Sequence, residues 1–295
     1  MPVARLNGRL LDFYRRRTEL EDDNFLDDTI FGFPFVGAMP HLDYYVVPNT
    51  KKQEICSVEA MWAKRHENPL EVIESLNVSE YEDEMMKITL EEASEGWNTP
   101  PVMVDEEDLD EFMFAPRLIV REYRPYLDDG AGGYRSRIVD DETRGLLNLC
   151  IWSNQRTQND GLDYFYYVLV TFFTRLIECV MFKGDVKSAF KKIPLRASHG
   201  KYSSVVFRHG GRVYRTTHRA CNFGAVSSVW SWHRVSNICL ATFRRIFRLV
   251  VLKYVDDFFG AQSKKSWTCA NKFMKIIRGV SVWTWTPRSA RASWM

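Results

Sequence analysis

Cysteine is scarce and scattered. Cys56, Cys150, Cys179, Cys221, Cys239 and Cys269 form no C-x-x-C pair and share no metal-ligand spacing with histidine. Free thiols in a reducing compartment are expected, not a disulfide framework. Long apolar runs are also missing. The most apolar stretch, residues 164–182, is broken by Arg175 and Glu178, which argues against a membrane span. Arg15, Arg16 and Arg17 stand where a secretory signal would need its apolar centre. There is no internal repeat or low-complexity segment, so collagen-like and coiled-coil readings fall away. These absences predict a soluble, intracellular protein with no membrane partner. What remains is a composition with 45% hydrophobic and 26% charged residues, enough apolar material for a sizeable core. The 295 residues allow one large domain or two ordinary ones.

The net charge of +2 hides a segregation of sign. Residues 1–130 hold 13 Lys/Arg against 29 Asp/Glu, a net −16, whereas residues 131–295 hold 27 against 9, a net +18. A half this basic is expected to attract a polyanion, because each phosphate neutralised releases a condensed counterion. The alternative is that the halves neutralise each other by docking. The opposite signs favour nucleic acid as the partner.

Residues 1–16 predict a short basic helix, and the stretch to about Asn49 mixes acidic runs with Gly, Pro and aromatic residues, as loops do. Residues 67–95 predict helices with acidic faces, and residues 105–111 a solvated charge run or linker. From Ala115 the character changes. Residues 117–121 and 135–139 alternate as strands around Asp128-Asp129-Gly130-Ala131-Gly132-Gly133, which predicts a hairpin. Arg135 and Arg137, two apart, would project from one face of it. Residues 163–182 predict an apolar helix running into a short buried strand. Two further strands flank His209-Gly210-Gly211. Residues 227–248 place Val229, Trp232, Val235, Cys239 and Phe243 at helical spacing, predicting an amphipathic helix with Arg244, Arg245 and Arg248 near its end. Residues 250–255 and Phe258-Phe259 are β-prone runs separated by Asp256-Asp257, a predicted hairpin with an acidic pair at its tip.

Two strands that each end in an aspartate, Asp185 and Asp256, can lie side by side and bring their carboxylates to shared cations. Hard oxygen ligands favour Mg²⁺ or Mn²⁺ over zinc. Adjacent aspartates at a hairpin tip repel each other, and a bound divalent ion offsets that repulsion. Taken singly, each aspartate is more simply a turn or cap residue. The combination carries the argument.

At this point the sequence resembles the reverse transcriptases of retroelements. Gly184-Asp185-Val186-Lys187-Ser188-Ala189-Phe190, continuing through Ile193-Pro194-Leu195, is similar to the palm block with the first catalytic aspartate. Asn222-Phe223-Gly224-Ala225-Val226-Ser227-Ser228, continuing to Trp232 and Arg234, is similar to the block that supports template and incoming nucleotide. Tyr254-Val255-Asp256-Asp257 matches the Tyr-x-Asp-Asp box. Arg135-Ser136-Arg137-Ile138-Val139-Asp140-Asp141, with Asn148 downstream, resembles the fingers block that grips triphosphate. The four blocks keep the family's order over about half the chain, a far more specific signal than any one alone.

The resemblance implies an α+β fold: a polymerase palm, an antiparallel sheet with helices on one face, plus fingers, preceded by an acidic, mainly α or irregular region. Residues 1–115 would be that region, of unknown role, 116–262 the fingers and palm, and 263–295 an atypical tail. It also implies RNA-directed DNA synthesis with two Mg²⁺ (or Mn²⁺) ions, a primed RNA or DNA template and deoxynucleoside triphosphates. Asp185, Asp256 and Asp257 would be catalytic and, with the Val186 carbonyl, hold the metals. Arg137, or Arg135 beside it, would hold the triphosphate. Phe190 would lie beneath the sugar and exclude a 2′-hydroxyl, and Phe223 and Gly224 would sit against the nucleotide. Lys187, Lys191, Lys192 and Arg196 would touch phosphates or solubilise the palm. Tyr254 would pack near the primer terminus or fill space.

The 38 residues after Asp257 hold no recognisable primer-grip hairpin or helical thumb, so a truncated or frame-shifted copy is expected. Two rival readings remain: a non-catalytic nucleic-acid-binding remnant, and an RNA-dependent RNA polymerase, against which Phe190 and the Tyr-x-Asp-Asp box argue.

Overall fold

The first helix, α1 (Gly8–Arg17), begins where the Asn7 side chain accepts the Leu10 amide at 3.1 Å and ends on three arginines that suit the helix dipole. It belongs to a computed structural model that describes residues 6–50, 56–124, 133–186 and 188–272. Most of the glycine-rich loop expected at 128–133, Lys187 and the tail from 273 onward lie outside the described residues. After α2 (Phe25–Phe31) come short strands β1 (Gly37–Ala38) and β2 (Val46–Pro48), then α3 (Val58–Ala63), α4 (Asn68–Glu74) and α5 (Glu82–Ser94). Ser57 caps α3, and three acidic residues occupy the first turn of α5.

The long pair β4 (Phe114–Arg124) and β5 (Gly133–Asp140) follows β3 (Val102–Met103) and α6 (Asp108–Glu111). Its antiparallel register runs from Arg117 opposite Asp140 to Arg124 opposite Gly133, the hairpin that the alternation predicts. Next are β6 (Ile151–Trp152), β7 (Gln155–Thr157), α7 (Leu162–Thr174) and β8 (Cys179–Asp185). A hairpin of β9 (Ser204–His209) and β10 (Arg212–Thr217) turns on Gly210 and Gly211, both at positive φ as such tight turns require. Helix α8 (Val226–Ala241) then leads to β11 (Val251–Tyr254) and β12 (Asp257–Ser263).

Two sheets organise the site. One has the order β3-β10-β9-β4-β5, with β4 parallel to β9 at its start and the other pairs antiparallel. The other is β11-β12-β8, wholly antiparallel. The architecture is thus mixed, with helices and several sheets, consistent with the α+β expectation.

Helix α8 departs from the amphipathic prediction. Every residue in it except Val226 and Val229 is buried. Its one arginine has interior partners: Arg234 donates to Asp22 at 2.8 Å through Nε and Nη2 and to Asp28 at 2.7 Å. One apolar core joins Leu11, Phe25, Phe33 and Phe35 from the acidic half to Trp232, Ile238, Phe243 and Phe258 from the basic half. Ion pairs also cross that divide: Arg196 with Asp28, Lys191 with Glu92 and Arg215 with Asp108. Part of the opposing charge is therefore paired inside the molecule. Asp108 is buried, so residues 105–111 are more than a solvated run. Conversely, α7 has no buried residue despite its apolar sequence. It touches β12 through Phe165 and Phe259, whose ring centroids are 5.6 Å apart.

Candidate active site

The acidic trio assembles from strand register. Asp185 ends β8, Asp257 begins β12, and the antiparallel pairing sets them directly opposite each other. Such cross-strand neighbours have Cα atoms about 4.5–5.5 Å apart. Asp256 occupies the intervening β11–β12 turn, and its carbonyl accepts the Val186 amide at 3.2 Å, tying the end of β8 to the turn.

Beside it Val255 adopts φ 53, a left-handed conformation that is strained for a β-branched residue. Two contacts hold it. Trp232 Nε1 on α8 donates to the Val255 carbonyl at 2.9 Å, and the Val255 amide donates to Asn159 Oδ1 at 3.1 Å. The turn is therefore imposed by its surroundings, as expected where strain persists.

Partial desolvation and the charge of Asp257 push the Asp185 carboxyl up, against opposing pulls from Lys183 and Arg135. Partial desolvation also raises Asp256, with Asp185 and Asp257 adding to it. The three carboxylates thus repel one another, and positive charge beside them relieves the repulsion. Part of that charge is already supplied: Lys183 Nζ lies 2.7 Å from Asp257 Oδ2. Nothing in the pattern around Gly184-Asp185 had singled out Lys183.

A second group of predicted residues lies together. The rings of Phe190 and Phe223 meet edge-on with centroids 5.0 Å apart, and the Arg137 guanidinium lies 5.7 Å from the Phe223 ring centre. Phe190 is buried at the start of a 3₁₀ turn, Phe190–Lys192. Phe223 is 49% exposed, open to a ligand. Arg135 and Arg137 are exposed on β5, and Arg137 also lies 3.6 Å from Glu122. Gly224 has φ 120, and a Cβ there would fall 1.9 Å from the Asp140 carbonyl oxygen. Only glycine fits this approach. Asn148 closes the arrangement, donating to the Gly224 carbonyl at 2.9 Å and accepting the Val226 amide at 2.9 Å.

The other basic candidates are engaged elsewhere. Lys191 is bound to Glu92 at 3.0 Å, Arg196 to Asp28 at 2.9 Å, and Lys192 is buried. Tyr254 is 60% exposed beside the acidic turn.

Beneath Phe223 and Gly224 lies a buried polar network that sequence reasoning missed. Arg117 grips Asp140 at 2.8 and 3.3 Å and pairs with Glu92 at 3.0 Å. His218 Nε2 meets Asp140 Oδ2 at 2.9 Å, and the Asn222 amide donates to both Asp140 and Glu142. Arg117 and His218 hold Asp140 well below the usual carboxylate range despite its burial. Asp140, Glu142 and His218 offer ligand atoms within 4.8 Å of one another. The guanidinium already bonded to both Asp140 oxygens supplies the positive charge a metal ion would bring there.

No protein-family model matches the sequence, and no curated protein matches it. The likeness to reverse transcriptases rests on the four sequence blocks alone. No helix among the described residues is long and apolar enough to cross a membrane.

Proposed function

We propose that this chain carries a reverse-transcriptase-type site for RNA-directed DNA synthesis, extending a primer on an RNA or DNA template with deoxynucleoside triphosphates. One observation carries the reading: the cross-strand pairing of Asp185 with Asp257 beside the turn residue Asp256. An all-oxygen donor set in which neighbouring carboxylates add to the raised proton affinity of Asp185 and Asp256 suits hard divalent cations. Asp185, Asp256, Asp257 and the Val186 carbonyl would hold two Mg²⁺ or Mn²⁺ ions. Their chemistry, when bound, is to favour ionisation of a primer 3′-hydroxyl and to neutralise departing pyrophosphate. The chain's own residues orient the nucleotide. Arg135 and Arg137 would grip its phosphates in forked hydrogen bonds, Phe223 and Gly224 would lie against it, and Phe190 would close the space a 2′-hydroxyl needs.

The test is primer extension on an RNA template with Mg²⁺ or Mn²⁺, using the parent and the Asp185→Asn, Asp256→Asn double variant. Incorporation should vanish in the variant while duplex binding persists. Extension by the variant at the parent rate would refute the proposal. Preference for ribonucleotides would instead favour an RNA-dependent RNA polymerase.

One observation favours a second reading, a non-catalytic nucleic-acid-binding protein: the Lys183–Asp257 pair puts a protein cation where a metal ion would bind. It predicts RNA binding indifferent to both aspartates and no incorporation by the parent.

A further inference from the structure

Phe223 is positioned from below, in part by Glu142, a residue outside the four blocks. The loop holding it is tied to the segment after β5 at several points. The Asp140 amide donates to the Phe223 carbonyl at 3.3 Å, Asn148 spans Gly224 and Val226, and Gly224 lies flat against the Asp140 carbonyl. The remaining tie is Asn222, immediately before Phe223. Its amide nitrogen divides its two hydrogens between Asp140 Oδ2, at 3.2 Å, and Glu142 Oε1. Glu142 is 1% exposed and Asn222 fully buried.

Asp140 is fully committed to Arg117 and His218, so Glu142 is the member of this pair whose charge can change. We propose that Glu142 is a positioning residue: through Asn222 it fixes the Phe223–Gly224 backbone, and with it the Phe223 ring against Phe190, at the nucleotide site. The inference rests on the polymerase reading for its functional consequence and on geometry alone for the positioning.

The charges around Glu142 work against its ionisation. Burial, then the nearby Asp140 charge, push its carboxyl up to about 8, with Asp141 adding and Arg117 and the Asn222 hydrogen bond opposing. The wider network brings Glu92 of α5 and Lys191, whose charges are already paired with each other and, for Glu92, with Arg117, and His218, whose pKa burial lowers and whose ring is hydrogen-bonded to Asp140. At neutral pH Glu142 is mainly a neutral acid accepting from Asn222. Above about pH 8 it becomes a second buried carboxylate beside Asp140, and the repulsion acts on the segment that carries Phe223.

The test uses the full chain with 4-fluorophenylalanine incorporated at position 223, in the parent and in Glu142→Gln, which keeps the acceptor oxygen but cannot ionise. The fluorine resonance should move as pH passes about 8 in the parent and stay still in Glu142→Gln. In primer extension, KM for deoxynucleotide should rise between about pH 7 and pH 9 about fivefold more in the parent than in Glu142→Gln, with no such difference in kcat. Glu142→Ala, which removes the acceptor, should raise KM across the whole range. Should that variant fail to fold, the Gln comparison still decides. A fluorine signal that titrates alike in parent and Glu142→Gln would overturn the inference, whether or not the protein polymerises. A signal that titrates only in the parent, without any incorporation, would keep the positioning role and reject the polymerase reading.

Discussion

Replacing Lys253 with methionine should stabilise the protein near neutral pH. Lys253 is 1% exposed between β11 and α8, one strand position from the acidic turn's first aromatic residue, Tyr254. Its ammonium donates to Ser236 Oγ at 3.0 Å and to His233 Nδ1 at 3.2 Å, and neither is an acid. Burial pushes the amine from 10.5 down to about 7, against a lesser opposing pull from Asp160. Burial also pushes His233 down to about 3, so its ring is neutral, donating to the Tyr45 carbonyl at 2.8 Å and accepting from Lys253. The unfolded chain keeps the lysine proton up to its ordinary value and the folded chain loses it near 7. Stability from this group therefore rises with pH across that window. The gap corresponds to about 5 kcal/mol against folding at acid pH, about 4 kcal/mol at pH 7 and about 2 kcal/mol at pH 9. Methionine conserves the stem and removes the charge, but leaves His233 Nδ1 without a donor, which costs about 1–3 kcal/mol. The expected net gain is about 1–3 kcal/mol at pH 7 and close to zero at pH 9. Urea unfolding of parent and Lys253→Met at both pH values measures it through the midpoint at constant slope. A variant no more stable at pH 7, or a difference independent of pH, would refute the burial argument.

The acidic trio makes an opposite prediction about function and stability. Asp185→Asn should abolish primer extension while raising the metal-free urea midpoint slightly at pH 7, because an acid pushed up in the fold loses stability as pH rises through its titration; the gain should fade at pH below the ordinary aspartate range. Arg234→Met strands buried Asp22 and leaves buried Asp28 only its pair with Arg196, and should cost about 3–5 kcal/mol in urea unfolding; an effect under about 1 kcal/mol would mean that those carboxylates reach water. Gly224→Ala forces a Cβ into the Asp140 carbonyl at a φ of 120. It should lower stability by about 3 kcal/mol or more, read as a fall in Tm, and raise KM for nucleotide if the protein folds.

The hairpins were legible because their signals are local. Alternation broken by Gly210-Gly211 or by the acidic pair marks β9–β10 and β11–β12, and the same alternation gives β4 and β5. The sequence sets Asp185 opposite Asp256 at the end of a neighbouring strand; the residue opposite is instead Asp257, which begins β12, because β12 and not β11 pairs with β8 and Asp256 stays in the turn. What escaped the sequence depends on partners far along the chain. Ser227, Ser228, Ser231, Arg234 and Asn237 look like the solvent face of an amphipathic helix until Asp22 and Asp28, more than 200 positions away, enclose Arg234. Asp108 disappears into a charge run because its partner, Arg215, lies on β10. Strands of two or three residues, such as β1, β3 and β6, are too short to show any period. Glu142 and Asn222 stand 80 residues apart, and Glu142 falls outside every recognisable block. The strain at Val255 is likewise invisible in composition, since valine is a strand-former and only Trp232 and Asn159 reveal why it turns.

The shared interior has a practical corollary for anyone wishing to trim the chain to its four recognisable blocks. A fragment starting near Ala115 would leave behind Leu11, Phe25, Phe33 and Phe35, which wall one side of α8, together with the only acids bonded to Arg234 among the described residues. Such a fragment should emerge from expression insoluble, its would-be catalytic turn lacking the buttress behind Trp232. An inactive truncation would then report on lost scaffolding and say nothing about chemistry.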